Sequence, residues 1–345
     1  MSVALLVSAI GLYLTSFYRN SSPDFGATSD SFDGRSEKSA SLPLNGSLHR
    51  PKENGSEKVR QDRVAELVAE LISGMDVATQ QEFRLHPDGS LSSAPTKRVL
   101  MLDELLRLDP KAALLQASNV LANFKSPDEW AVALRICALS DRSPTGRVFL
   151  EERLRALLQH APWQERPTAG YLEAFDVAVY IGGTGLMPVL TDLVERKNNS
   201  PISKAAYLAI DRLVIAEPAA VLSYLGEHPD QMQGRELARA NYFARADMSD
   251  ENQKKIAESY LLAPERSERE LEAMLSNFPN ANFMISHNLL TVSKTLDATE
   301  IKRRDRITLD VVNTWLSDPR FSRLYPRLEG VRSKLEQFVG PNPRR

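Results

Sequence analysis

A glycine cluster in the middle of the chain is the first place where the residue types could do chemistry. Gly-Gly-Thr-Gly occupies positions 182–185 between two apolar runs. A dinucleotide loop of this kind needs a strand before the glycines and a third glycine after them. Tyr171, Phe175 and Val179 recur every four residues, which instead indicates a helix before the cluster. We therefore interpret the cluster as a left-handed helix end, with Thr184 capping the next helix, and expect no cofactor there.

Side chains that commonly act as metal ligands or nucleophiles are few and scattered. The only cysteine, Cys137, lies in an apolar run, which predicts a buried and inert thiol. His160 and His228 each stand close before a proline at a predicted helix end, where a ring can bind unpaired carbonyls. The five histidines show no HExxH, HxH or HxxxH spacing, and GxSxG and P-loop motifs are absent from the sequence. We expect no catalytic, metal-binding or cofactor-binding residues, and the alternative is an enzyme with its active site in a groove.

A basic run near the C-terminus is the strongest functional feature of the sequence. Residues 301–345 carry eleven Lys and Arg against five Asp and Glu, although the whole chain has a net charge of only −2. A solvated helix face is the default explanation of such a run, and the alternative is an anionic partner, either an acidic protein or lipid head groups. Because no aromatic residues interleave the first basic cluster, nucleic acid is not expected. The candidate binding residues are Lys302, Arg303, Arg304, Arg306, Arg320, Arg323 and Arg327.

The first eighteen residues contain no charged side chain and are almost all apolar or small. A helix over Val3–Tyr18 would be about 24 Å long, close to the roughly 30 Å of a bilayer core. A cleaved signal peptide would need a basic first region and a small-residue cleavage site, and neither is evident. We predict a transmembrane anchor or an uncleaved signal over residues 1–18, and hence a single-pass membrane protein. Its larger part could lie outside the cytoplasm, and the side of the membrane is left open.

Residues 19–60 differ from the rest of the chain in composition. They are rich in Ser, Gly, Asn and Pro, include nine serines, and contain almost no apolar clusters. Such a segment cannot bury enough apolar surface to offset the entropy lost on ordering. We predict a disordered linker over residues 19–60 and a short disordered tail over residues 341–345.

From residue 61 to residue 340 the apolar residues recur with a helical period. Val64, Leu67, Val68 and Leu71 lie on one helix face, and no stretch alternates apolar and polar residues over several positions. A turn is expected at residues 86–89, where the sequence reads His-Pro-Asp-Gly. We therefore predict an all-α region with few or no strands.

A repeated pair of residues, a side-chain acceptor followed by proline, marks the predicted helix starts. An acceptor at the N-cap binds free backbone N–H groups, and proline at the next position lacks only an N–H that had no partner. Three of the four separations between successive pairs are 17 residues, so two separations span one helical hairpin of about 34 to 37 residues. The pairs are Asp109-Pro110, Ser126-Pro127, Ser143-Pro144, Ser200-Pro201 and Glu217-Pro218.

Two of the predicted helices also align with each other without gaps. Residues 126–139 and 200–213 share the Ser-Pro start and four apolar positions. Residues 181–213 contain, in order, a helix end, a helix with Pro188 in its first turn, a loop and an alanine-rich helix. In this order the chain resembles HEAT-repeat proteins, which are α-solenoids of stacked helical hairpins. The resemblance implies a solenoid over residues 61–340 that binds a protein partner on its surface, as a membrane-tethered scaffold without catalysis.

Overall fold

The computed structural model describes residues 53–196, 201–281, 288–292 and 295–340 of the 345-residue chain. The predicted anchor (residues 1–18), most of the predicted linker and the predicted tail (residues 341–345) lie outside these residues. Within the described stretches, no helix combines the length and apolar character needed to cross a bilayer.

The described residues form helices joined by short loops, with one small antiparallel β-hairpin, β1 (Arg84–Leu85) and β2 (Leu91–Ser93). The first half contains α1 (Glu53–Ser73), α2 (Lys97–Leu108), α3 (Pro110–Leu121), α4 (Pro127–Ser140), α5 (Pro144–Gln159), α6 (Ala161–Glu165), α7 (Ala169–Glu173) and α8 (Asp176–Ile181). The second half contains α9 (Met187–Glu195), α10 (Pro201–Ala216), α11 (Pro218–Glu227), α12 (Glu236–Phe243), α13 (Glu251–Leu262), α14 (Glu268–Asn277), α15 (Ala298–Ser317) and α16 (Tyr325–Val339). Short 3-10 helices cover Gln233–Arg235 and Pro319–Leu324. The prediction of an all-α fold is confirmed.

The predicted turn at residues 86–89 closes the β-hairpin. The His86 N–H donates to the carbonyl of Ser90 at 2.8 Å, and Gly89 has a φ of +78°. A left-handed backbone of this kind is favourable for glycine alone among the common residues. The turn chemistry was therefore readable from the sequence, although the strands beside it are too short to show alternation.

Helix α1 begins at Glu53, inside the segment predicted as a disordered linker. Residues 56–60 of this helix are exposed. They form local polar pairs: Arg60 lies 4.0 Å from Glu57, and Gln61 donates a hydrogen bond to Glu57 at 3.3 Å. Pairs three or four residues apart stabilise a helix without burial. The prediction of disorder rested on the scarcity of apolar residues in this segment, and it did not consider these pairs.

Three of the predicted helix starts are confirmed with their capping bonds. The side chains of Asp109, Ser126 and Ser143 accept hydrogen bonds from first-turn N–H groups, and a proline follows each. Ser200 lies outside the described residues, although α10 begins at Pro201 as expected. Glu217 precedes α11 as predicted but makes no capping bond.

The helices pack in sequence order, and a central series of them runs through the whole described region. We call α2, α4, α8, α10, α12, α14 and α16 the central series, because each member contacts the next one. The intervening helices flank this series, for example α3 against α2 and α4, and α9 against α10. Buried apolar residues from these contacts form one connected core that includes Trp130 and Trp315 as fully buried side chains.

Four buried ion pairs lie at contacts of the central series, three of them from helix to helix and one from α10 to Arg245, just after the end of α12. Each pairs an arginine with a carboxylate whose side chain is at most 2 % exposed. The partners are 32, 36, 34 and 31 residues apart in sequence, close to the length of one predicted hairpin. Removing one partner leaves an uncompensated buried charge, so each pair fixes the register of two neighbouring helices. The pairs are Asp103–Arg135, Asp176–Arg212, Asp211–Arg245 and Arg239–Glu270.

The Asp103–Arg135 pair, with 2.6 Å between its atoms, provides a direct test. Arg135→Met should lower the free energy of unfolding by about 3–5 kcal/mol, because Asp103 stays buried without its close cation. Adding Asp103→Leu should restore most of that loss, since an apolar pair of similar volume needs no compensating charge. Urea unfolding followed by circular dichroism measures both changes.

Arg107→Met is the matched control for this test. Arg107 lies 3.7 Å from the same carboxylate but its side chain is 66 % exposed, so its removal should cost less than about 1 kcal/mol. If the double variant Asp103→Leu, Arg135→Met were as unstable as Arg135→Met alone, the unpaired charge of Asp103 would not be the cause of the lost stability.

Candidate functional site

The glycine cluster is a turn between helices, as the sequence predicted. Helix α8 precedes it, and Gly182 and Gly183 have φ values of +71° and +69°. The Gly183 N–H donates to a carboxylate oxygen of Glu217 at 3.1 Å, and a β-carbon on Gly182 would lie 2.3 Å from the other oxygen. A side chain of the protein therefore fills the place where a phosphate loop would hold its anion. The predicted cap at Thr184 is wrong, because α9 begins later, after Leu186.

The Cys137 thiol and the rings of His160 and His228 behave as structural groups. Burial raises the pKa of Cys137 to about 11, which keeps the thiol protonated at neutral pH. The His228 ring lies 2.8 Å from the Tyr224 carbonyl at the end of α11, which confirms its predicted position, whereas the His160 ring stacks on Phe124. Across the described stretches, no group of three or more His, Cys, Asp or Glu side chains could hold a metal ion.

Two of the predicted basic residues on α15 are tied to acidic neighbours. Arg303 and Arg304 both hydrogen-bond to Glu300, at 2.8 Å and 2.7 Å, and Arg304 also lies 2.8 Å from Asp247. These hydrogen bonds lower the pKa of Glu300 to about 2. The positive charge of this part of the run is therefore largely neutralised within the protein.

The basic residues after α15 are also engaged. Arg320 lies 2.6 Å from Asp318, Arg327 lies 2.8 Å from Glu268, and Arg323 donates to two carbonyls at the end of α13. Among the described residues, Lys302 and Arg306 have no such partner and are exposed one turn apart on α15. Binding of an anionic partner at this end stays a prediction, and it now depends mainly on these two side chains.

Glu270 is at the centre of the most crowded group of buried polar side chains. It accepts hydrogen bonds from Arg239 at 2.9 Å and from the Tyr260 hydroxyl at 2.5 Å, and Arg266 lies 3.7 Å away. The N–H of Glu270 donates to the Ser267 hydroxyl, which caps the start of α14. All four titratable side chains are buried in the helix contacts, where a substrate cannot reach them.

The most unusual contact in the described residues is made by a non-regular stretch, residues 288–292, that returns to α7 and α8. The carboxylate of Asp176 accepts hydrogen bonds from the main-chain N–H groups of Leu290 and Thr291, at 2.6 Å and 2.8 Å, and from the Thr291 hydroxyl. The N–H of Asn288 donates to Glu173 at 3.3 Å. Three of these four bonds use main-chain N–H groups of the stretch. They therefore position its backbone and do not depend on which side chains it carries.

The surroundings of residues 288–292 complete a binding surface, which we call the segment site. It consists of Glu173, Asp176, Arg212 and Gly89. Arg212 forms the ion pair with Asp176 and also donates to the Thr291 hydroxyl. A β-carbon on Gly89 would lie 2.4 Å from the Leu289 carbonyl oxygen, so the hairpin turn touches the same stretch. Burial raises the pKa of Asp176, which the hydrogen bonds from Thr291 and the charge of Arg212 oppose.

Sequence reasoning missed the segment site, although one signal for it was present. Asp176 and the Asp211-Arg212 pair stand inside otherwise apolar helical runs. A charge in such a position is either paired or costly, so each predicts a buried partner. The sequence does not say which partner, because the hydrogen bonds to Leu290 and Thr291 join residues 114 and 115 positions apart.

Asp128, in the first turn of α4, is a buried carboxylate of a different kind. It accepts hydrogen bonds from the Thr168 hydroxyl at 2.6 Å and the Gly170 N–H at 2.9 Å, and it has no ion pair within the described stretches. Burial raises the pKa of Asp128, while the two hydrogen bonds act in the opposite direction. The folded state therefore binds a proton at Asp128 more readily than the unfolded chain does.

Comparison of the chain with protein-family models, with curated proteins and with solved structures found no match. The resemblance to HEAT-repeat proteins consequently stays a prediction from the residues of the sequence.

The raised pKa of Asp128 predicts a pH dependence of stability. Because the folded pKa lies above the unfolded value of about 3.9, ionised Asp128 costs the fold stability as pH rises. Asp128→Asn keeps an acceptor for both hydrogen bonds and removes the titration. The variant should therefore gain stability relative to the natural protein between about pH 4 and pH 7, as measured by urea unfolding across this range.

Asp141→Asn provides a control of opposite sign. Hydrogen bonds from Ser143 lower the pKa of Asp141, so this variant should lose stability relative to the natural protein as pH rises towards the unfolded value of about 3.9. For this control the urea unfolding therefore extends below about pH 4, and above about pH 5 the difference should be constant. A stability difference for Asp128→Asn that does not vary with pH would contradict the role assigned to Asp128.

Proposed function

We propose that residues 61–340 form a HEAT-like α-solenoid that acts as a scaffold for a protein partner, without catalysis. In this proposal the partner contributes a non-helical stretch of its chain, which binds at the segment site in place of residues 288–292. Residues 1–18 attach the scaffold to a membrane as a single-pass anchor, and no cofactor or nucleic acid takes part.

The packing of the central series supports the solenoid. Each member contacts the next, and the flanking helices lie between successive members in sequence. The two partners of each buried ion pair lie 31 to 36 residues apart, close to the hairpin length of about 34 to 37 residues inferred from the acceptor-proline pairs. Stacked hairpins of this kind present extended surfaces suited to binding other chains.

The hydrogen bonds between Asp176 and the main chain of residues 290 and 291 are the observation that supports the proposal of protein binding. A surface that holds residues 288–292 through main-chain N–H groups offers the same carboxylate and guanidinium to the backbone of another chain. The affinity then comes from main-chain hydrogen bonds, and the specificity comes from the pockets that receive the side chains. Leu289, which is 1 % exposed, shows that a side chain can be buried at this surface.

The alternative of an enzyme is less well supported by the geometry. An active site needs several titratable side chains that converge on a pocket open to substrate. Four of the buried carboxylates are instead paired with arginines from other parts of the fold, at Asp103, Asp176, Asp211 and Glu270. These four groups join structural elements.

A photo-crosslinking experiment on the full-length protein in its native membrane tests the proposal. A photoreactive amino acid at Ile215, which is 44 % exposed and one turn from Arg212 on α10, should give one reproducible adduct with a partner protein. Phe338, 63 % exposed on α16, is the matched control position and should give no such adduct.

Adding Thr291→Val to the Ile215 variant tests whether the partner uses the segment site. This change removes the hydroxyl that bonds Asp176 and Arg212. It should weaken the hold on residues 288–292 by about 1 kcal/mol and raise the partner's apparent affinity up to about fivefold. An adduct from Phe338 but not from Ile215 would place the interface elsewhere, and no adduct from either position would contradict the scaffold function.

A further inference from the structure

Residues 288–292 occupy the segment site, and their main-chain contacts alone cannot select a sequence. The stretch lies between α14, which ends at Asn277, and α15, which begins at Ala298, and it forms neither helix nor strand. Its main-chain bonds to Glu173 and Asp176 are available to any residue other than proline at the donor positions. Selection among partner sequences must therefore come from side chains.

The Thr291 hydroxyl lies between two charged side chains. It donates to the carboxylate of Asp176 and accepts from the guanidinium of Arg212. The side chain of Asp176 is 0 % exposed and that of Arg212 is 7 % exposed, so water has little access to replace a lost hydroxyl. Serine offers the same donor and acceptor, whereas valine has nearly the shape of threonine and offers neither. A buried group that loses a partner costs desolvation free energy, so this position selects a hydroxyl.

The Leu289 side chain is enclosed by the folded chain. It is 1 % exposed and belongs to the connected apolar core. The hairpin turn also lies against the backbone here, because a β-carbon on Gly89 would be 2.4 Å from the Leu289 carbonyl oxygen and 3.0 Å from that of Asn288. A polar side chain at this position would be buried in an apolar environment, and alanine would leave a cavity. The position therefore selects a large aliphatic residue.

The other side chains of the stretch contribute less to selection. Val292 is 72 % exposed, and Asn288 and Leu290 are each only partly buried. Truncating an exposed side chain changes a binding or folding free energy little, whereas truncating an enclosed one changes it strongly. The two selective positions, 289 and 291, are thus separated by one residue of weaker influence.

We propose that the segment site selects partner stretches in which leucine stands two residues before threonine or serine, as Leu289 stands before Thr291. This selection rests on the proposed function, since it names the sequence that the partner's non-helical stretch carries. The partner's leucine takes the place of Leu289, its hydroxyl bonds to both Asp176 and Arg212, and residues 288–292 leave the site.

Peptide binding to the full-length protein tests the selection. The probe is the blocked, fluorescently labelled peptide Asn-Leu-Leu-Thr-Val, which is the sequence of residues 288–292. Because the natural stretch is tethered beside the site, it competes with the probe at a high effective concentration. Leu289→Ala combined with Thr291→Val weakens this competitor and leaves the side chains of the segment site unchanged. Fluorescence anisotropy should show that the probe binds the double variant at least about tenfold more tightly than the natural protein.

Changes in the probe test the two selective positions separately. Valine in place of its threonine should weaken binding to the double variant about fivefold, because both charged side chains lose a hydrogen bond. Serine at the same position should bind more tightly than valine, because the hydroxyl is kept. Alanine in place of the first leucine should weaken binding at least about tenfold, since a cavity remains. Alanine in place of the last valine is the matched control and should change binding less than about twofold, because Val292 is exposed.

Thr291→Val alone provides a second protein for the measurement if circular dichroism shows that the double variant does not fold. This change removes only the hydroxyl of the competitor, and the probes should bind it in the same order of affinity. Equal binding of the threonine and valine probes, or of the leucine and alanine probes, would overturn the selection. The scaffold function would then still be supported by main-chain hydrogen bonds.

A probe that binds neither the double variant nor Thr291→Val would also overturn the selection. The scaffold function is tested independently of the probes, because it is contradicted when neither Ile215 nor Phe338 gives an adduct in the crosslinking experiment. The two experiments therefore distinguish a wrong partner sequence from a wrong function.

Discussion

Charge burial between successive helices is the constraint on which the rest of this structure depends. An arginine and a carboxylate that are both withdrawn from water stabilise the fold only while they face each other. The four pairs therefore fix the relative position of the helices at four of the six successive contacts of the central series, whereas the apolar core around them would tolerate several positions. This account explains why the chain keeps charged side chains buried at these contacts.

Asp176 connects this constraint to binding. The same carboxylate pairs with Arg212 across two helices and accepts main-chain hydrogen bonds from residues 290 and 291. A shift of α8 against α10 would therefore disturb the segment site directly. The segment site is thus built on a contact that sets the register of two helices.

The helix ends and turns were predictable because they depend on neighbouring residues. The features that the sequence analysis missed depend on side-chain contacts between residues far apart in sequence. The caps at Asp109, Ser126 and Ser143 and the left-handed glycines at residues 182 and 183 depend on a few neighbouring residues, so the sequence shows them. The acidic partners of the basic run include Asp247 and Glu268, which lie far from it in sequence, so the run looked like a free positive surface. Glu217 looked like a helix cap because its bond to Gly183 spans 34 residues. The residues of the segment site come together only in the folded chain.

The protonated state of Cys137 has a practical consequence for work on this protein. With a pKa of about 11, only about one thiol in ten thousand is ionised at neutral pH, and burial further hinders reagents. The chain contains no other cysteine. A cysteine introduced at an exposed position can therefore be alkylated or spin-labelled selectively without removing the natural one, so distances between helices can be measured spectroscopically in an otherwise unaltered chain.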